Sequence, residues 1–200
     1  MVHPLQFSDY ASSLDLNQFE SHKDLYLKLA LPYVPRILHL LDQNPYSPNY
    51  GCFDRAFWHY RTMDFPCGMS QEMVLLLALV YKNEYKANPF YQVSRIKELA
   101  EASIRFMLHS SHRDGTCDDY FPYERAMGAL VFSLYSATES YLELKMEDQE
   151  LADFFIKRVR HLQLENETGR LGNHQALSAL AAYNVYLITD DVGSKRTSEE

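Results

Sequence analysis

The sequence predicts an all-α fold, made of helical hairpins that form a partial (α/α) toroid or solenoid. Three observations carry that prediction. Apolar residues recur at helical spacing through most of the chain, whereas sustained period-2 alternation and hairpin turns between such runs are absent. Long and short connections alternate, as they do when antiparallel helix pairs place all their long loops at one end. Three segments also resemble one another: QEMVLLLALVY from Gln71, ERAMGALVFSLY from Glu124 and NHQALSALAAYNVY from Asn173. Each opens polar, continues apolar with Ala, Gly or Ser, and closes on tyrosine. Their starts lie roughly 50 residues apart, a spacing that suits a repeated helix pair.

Taken in order, residues 21–43 read as a helix capped by Ser21 and split or kinked by Pro32 and Pro35. A short helix is expected over 54–61, followed by helices over 69–83, 89–110, 123–144, 148–162 and 173–189. Residues 44–68, 111–122 and 163–172 are the long loops, and 84–88 and 145–147 the short ones. The three similar helices form the expected inner row, since small residues let helices sit close together. Amphipathic segments such as YQVSRIKELAEASIRFML cover the outside. Residues 1–190 then form one helical domain. The tail 191–200 lacks apolar periodicity and reads as disordered. An irregular helical bundle is the alternative architecture.

Composition narrows the function classes. With 46% hydrophobic residues, the chain can bury a sizeable core as one domain. A net charge of −8 argues against nucleic-acid binding, because phosphate neutralisation needs a concentrated basic surface. Lys157, Arg158 and Arg160 are interleaved with apolar residues and read as the solvated face of a helix. No apolar run approaches the roughly 20 residues of a membrane span, and MVHPLQFSDY lacks a secretory pattern, so a cytoplasmic location is the default expectation. Three cysteines, Cys52, Cys67 and Cys117, are too few for a disulfide framework, and no CxxC spacing supports zinc. No cofactor is implied.

The stretch NYGCFDRAFWHYRTMDFP, residues 49–66, holds the single tryptophan and a dense set of aromatic and charged groups. If the long loops share one end, that end gathers Asp54, Arg55, Trp58, His59, Tyr60, Arg61, Asp64, Gln71, Glu72, Asp114, Asp118, Asp119, Tyr120, Tyr123, Glu124, Arg125, Asn173, His174 and Gln175. Two readings of this rim are open. Aromatic rings stack on sugar faces while Arg, Asp and Asn hydrogen-bond hydroxyls and uronate carboxylates. Alternatively, the acids and Asn173 cap helix starts, worth roughly 0.5–2 kcal/mol each. In HRDGTCDDYFPYER, Asp114-Gly115 makes a turn and Pro122 falls before or within the first turn of the next helix. Asp118, Asp119 and Glu124 lack the ordered steps of a calcium loop, so no metal is expected.

The motifs FDRAFWHYRTMDFP, DGTCDDYFPYER and GRLGNHQALSALAAYNVYLITDD, in that order, resemble the N-terminal helical region of heparinase II/III-like proteins. The resemblance spans about residues 45–190. It implies an (α/α) toroid and, in the better-studied members, a following β-sandwich and cleavage of uronate-containing polysaccharides by β-elimination. Asn173 and His174 match the Asn-His pair that faces the substrate carboxylate there. Neutralising that carboxylate lowers the barrier to removing the neighbouring C5 proton. The acid/base tyrosine and the sandwich of those lyases lie beyond this chain's last matching residues. The implied partner is an acidic poly- or oligosaccharide, held by Arg55 or Arg61 and stacked on Trp58 and Tyr60. A non-catalytic scaffold binding a protein through its aromatic rim is the second expectation. An incomplete ring would also leave Leu177, Leu180, Ala181 and Tyr183 as an unpaired apolar flank, predicting a homodimer or poor solubility.

Overall fold

A computed structural model of the protein describes residues 21–164 and 171–199. The expectation of no secretory signal and the start of the 1–190 domain fall on residues 1–20, outside the described residues. Residues 165–170, most of the third long loop, lie outside them too. The described residues are all-helical, without a strand.

The chain enters through α1 (His22–Ala30), where the Ser21 hydroxyl accepts the Asp24 amide at 3.2 Å. Pro32 and Pro35 lack an N–H, and they divide what would be one helix into α1, a 3₁₀ turn (Leu31–Tyr33) and α2 (Val34–Leu40). The loop that follows folds back on itself, with Asp42 N donating to Cys52 O and Gly51 N to Asp42 O. Gly51 has φ +93°, and a Cβ there would collide with the Ala102 carbonyl, so only glycine lets this loop touch the next helix layer. Gln71 then fastens it. Its buried amide accepts Phe53 N at 2.9 Å and donates to the carbonyls of Gly51 and Ser103, both at 3.2 Å.

After α3 (Arg55–Trp58), a 3₁₀ turn (Met69–Met73) leads into α4 (Val74–Lys82). The remaining helices are α5 (Ser94–Ser110), α6 (Met127–Glu143), α7 (Gln149–Leu164), α8 (Gly172–Thr189) and α9 (Val192–Glu199). They pack in two rows. α6 lies between α4 and α8, while α5 backs α4, and α7 backs α6 and α8 and reaches α5 and α9. α6 is buried on most sides, and its hydroxyls are satisfied inside the helix: Ser133, Thr138 and Ser140 donate to the carbonyls of Ala129, Leu134 and Ser136. Ala181, Ala182 and Val185 of α8 enter the core, and Asn184 donates to Glu139 Oε2 at 2.9 Å.

The structure corrects four expectations. The tail is a helix rather than a disordered segment. Asp190 turns the chain at φ +56°, and Asp191 caps α9 by accepting Ser194 N at 2.7 Å, while Gln163 of α7 reaches the Gly193 carbonyl at 3.3 Å. α9 thereby backs α8 and α7 as an outer helix without carrying an apolar stripe of its own. Arg158 is not on a solvated face. It is 1% exposed, donates to Ser133 Oγ at 2.8 Å and Ser111 Oγ at 2.9 Å, and lies over the Phe154 ring, while Lys157 and Arg160 are exposed. α6 starts at Met127 rather than near 123, which leaves Pro122 in the loop, because Asp118 and Glu124 capture the preceding amides. Ala181 is buried, so it belongs to the inner side of α8 and not to the exposed flank with Leu180 and Tyr183.

Candidate functional site

The first two long loops meet beside the first turn of α6. Gly68 N donates to Asp118 O at 2.7 Å, and Cys67 Sγ donates to Asp119 Oδ1 at 2.9 Å. His174, in the first turn of α8, lays its ring over Gly128, where an added Cβ would sit 3.2 Å from Cε1, and meets Phe132 edge-on at 5.4 Å. The starts of the 3₁₀–α4 segment, α6 and α8 therefore share one end.

Most of the rim acids are engaged with the backbone. Asp54 is buried and accepts Ala56 N at 2.9 Å, Phe57 N at 3.3 Å and, from the far side of the loop, Cys67 N at 2.9 Å. Asp118 accepts Tyr123 N at 2.8 Å, Arg125 N at 3.1 Å and a bond from His112 at 2.9 Å. Burial acts to raise its carboxyl, but the His112 bond and the two amides hold it below the usual carboxylate range. Glu124 accepts the amides of Asp119, Tyr120 and Phe121 at 3.1, 2.8 and 3.3 Å. The capping reading holds for Asp54, the N-cap of α3, whereas Asp118 and Glu124 bind loop amides only and α6 starts without a side-chain cap.

These bonds turn a run of rings outward. Tyr120, Phe121 and Tyr123 are 74%, 68% and 82% exposed. Tyr123 and Arg125 sit at φ +63° and +54°, a left-handed conformation that bulky residues adopt only when neighbouring bonds enforce it. Tyr123 stacks on His112 at 5.9 Å between centroids, and Arg125 reaches Asp114 at 3.3 Å.

In the first loop Trp58 and Arg55 turn inward instead. Trp58 is half-buried and donates Nε1–H to Leu40 O at 2.8 Å, closing the end of α2. Arg55 donates to His39 O at 3.0 Å and lies over both Trp58 and Tyr60, at 5.5 and 5.1 Å. The guanidinium expected to hold a sugar acid is therefore already placed between two rings. His59 meets Trp58 and Tyr60 edge-on, and His59, Tyr60, Arg61 and Asp64 are exposed. Asn173 is exposed in the first turn of α8 rather than at its N-cap, which is Leu171.

Glu72 emerges with a distinct chemistry. It is half-buried, and burial together with the charge of Asp119 pushes its carboxyl up. Asp119 accepts the Cys67 thiol, whose pKa burial and that carboxylate push up to about 11. Burial pushes Cys52 up to about 12. Such thiols are protonated and unreactive at neutral pH. Among the described residues, no group of three or more His, Cys, Asp or Glu is placed to hold a metal ion. Sequence reasoning placed Glu72 on the rim without a role and passed over Phe121. The run Tyr120-Phe121-Pro122-Tyr123 was the available signal for the latter.

A groove of about 390 Å³ lies at the opposite end, lined by Tyr141, Met146, Gln149, Ala152, Leu187 and Ile188. No helix among the described residues is long and apolar enough to cross a membrane. No family model, no curated protein and no solved structure matches this chain significantly.

Proposed function

We propose that the protein is a carbohydrate-binding member of the helical-toroid class, recognising an acidic oligosaccharide through its aromatic rim. The two-row packing of α4, α6 and α8 against α5, α7 and α9 supports a toroid-like arc. The observation that carries the binding reading is the fixed, outward display of Tyr120, Phe121 and Tyr123. Glu124 holds the backbone of Tyr120 and Phe121 and His112 stacks on the Tyr123 ring, which lowers the ordering cost of meeting a sugar face. The exposed Arg61 and Arg125 supply charge for a uronate, and Asn173 supplies an amide at the mouth of α8. Binding is better supported than turnover, because the His174 imidazole packs on Gly128 and Phe132.

Calorimetry against uronate-containing and neutral oligosaccharides tests this. Saturable binding to the uronate chain is expected, weakened about tenfold or more by Tyr120→Ala with Tyr123→Ala. No binding to any glycan by the folded protein would refute the reading. A second reading, a scaffold that binds a protein partner, draws on one observation. With Asp54, Asp118 and Glu124 bound to backbone amides, the rim offers mainly tyrosine, phenylalanine and arginine, the residue types enriched at protein interfaces.

A further inference from the structure

Among the described residues, Arg158 of α7 is the only lysine or arginine in the buried core, and it pairs there with no carboxylate. Its hydrogen bonds go to two hydroxyls, Ser133 Oγ and Ser111 Oγ, and the Phe154 ring lies 4.7 Å away. Its Nε–H is buried and meets no acceptor among the described residues. A guanidinium keeps its charge in a protein, and burying that charge without an opposite partner is unfavourable. Neither hydroxyl depends on the arginine, since Ser133 also donates to Ala129 O and Ser111 to Met107 O. A methionine of similar volume would strand neither a buried charge nor a buried donor. Global stability therefore does not account for an arginine at this position.

Its surroundings do. Ser111 opens the second long loop directly after α5, and Ser133 lies in α6, the helix into which that loop leads. Gly115, at φ +88°, folds the loop over the arginine stem, where an added Cβ would sit 3.3 Å from Arg158 Cγ. The Cys117 thiol is close enough for the guanidinium to act on its charge. Cys117 O accepts Ala126 N at 2.8 Å, and that bond closes the neck of the segment carrying Tyr120, Phe121 and Tyr123. We propose that Arg158 is a positioning residue for the rim, holding the entry and the neck of this loop from inside the protein so that its rings meet a ligand in one fixed arrangement. An arginine suits the task because its planar fork reaches hydroxyls on two different elements at once, whereas an apolar side chain would fill the same space without joining them.

The binding consequence rests on the rim reading, but the hold on the loop is measurable without a ligand. The test is Arg158→Met in the full chain. Its urea midpoint should equal or exceed that of the wild type. Hydrogen exchange should quicken about tenfold or more at the His112 and Ala126 amides, which donate to Thr116 O and Cys117 O, and stay unchanged inside α4 and α8. By calorimetry, affinity for a uronate-containing oligosaccharide should fall about tenfold or more. A variant that fails to fold, or unfolds at lower urea with faster exchange throughout, would make Arg158 a structural residue and overturn the proposal. Unchanged exchange at the two loop amides would overturn it as well, and so would wild-type glycan affinity in a variant whose loop is loosened. If the wild-type chain binds no glycan, the rim reading falls by itself, and the exchange pattern decides whether Arg158 holds the loop.

Discussion

Loops 49–66 and 111–126 carry nearly the same ingredients, an aspartate before a cluster of rings and arginines, and arrange them in opposite senses. In the first, Asp54 is buried, Arg55 lies against Trp58 and Tyr60, and the indole N–H closes α2. In the second, Asp118 and Glu124 take the backbone amides, and Tyr120, Phe121 and Tyr123 are left facing water. Carboxylates bind backbone amides in both loops, but in the first a ring bonds the backbone as well, and that ring, Trp58, is drawn inward while the neighbouring Tyr60 stays exposed. Residue type alone does not decide which tyrosines can meet a ligand.

The sharpest way to break this comparison is to remove one carboxylate from each loop. Asp54→Ala should lower stability by about 3 kcal/mol, because it strips Ala56 N, Phe57 N and Cys67 N of their acceptor in a buried setting. Glu124 is exposed, and water can replace it at the amides it serves, so Glu124→Ala should cost about 1 kcal/mol. Urea unfolding of the two variants measures both. Equal losses would show that burial does not distinguish the loops.

Acid gives a second, smaller separation. Asp114 and Asp118, both in the second loop, have carboxyls held below their ordinary values. Burial opposes that shift in each. Hydrogen bonds from Thr116 for Asp114, and from His112 and the Arg125 and Tyr123 amides for Asp118, overcome it. A carboxyl depressed in the folded state contributes stability above its unfolded value, near 4, and that contribution is lost as pH falls through the folded value. The second loop should therefore hold its tyrosine near-ultraviolet dichroism from pH 7 to about 4 and lose it below. Asp118→Asn should flatten that acid limb, and an unchanged limb in that variant would exclude Asp118 as its source.

Legibility in the sequence followed the range of the interactions involved. The Ser21 cap and the breaks at Pro32 and Pro35 depend on residues a few positions apart, and they were readable, whereas the short connection expected over 84–88 extends over 83–93, since α5 starts only at Ser94. Arg158 was not, because its partners Ser111 and Ser133 lie 47 and 25 residues away. α9 escaped notice for the same reason, since Asp191 supplies a local cap but Gln163, from another helix, fixes its position. At the rim, the residue types were evident and the capping alternative was in view. The bond from Cys67 N to Asp54, 13 residues back, is what makes that acid a tie between loop ends, and no local pattern announces it.

Trp58 carries the smallest and most discriminating effect. If its indole N–H closes α2 at the Leu40 carbonyl, Trp58→Phe should cost about 1 kcal/mol and also weaken the ring's hold on Arg55. Tyr120→Phe, on a ring that water surrounds, should change stability by less than about 0.5 kcal/mol. Glycan titrations of the same two variants complete the contrast. A stability loss at Trp58 with binding retained places that indole in the framework. Unchanged stability with binding lost would instead make Trp58 the stacking surface, and the inward and outward senses of the two loops would have to be exchanged.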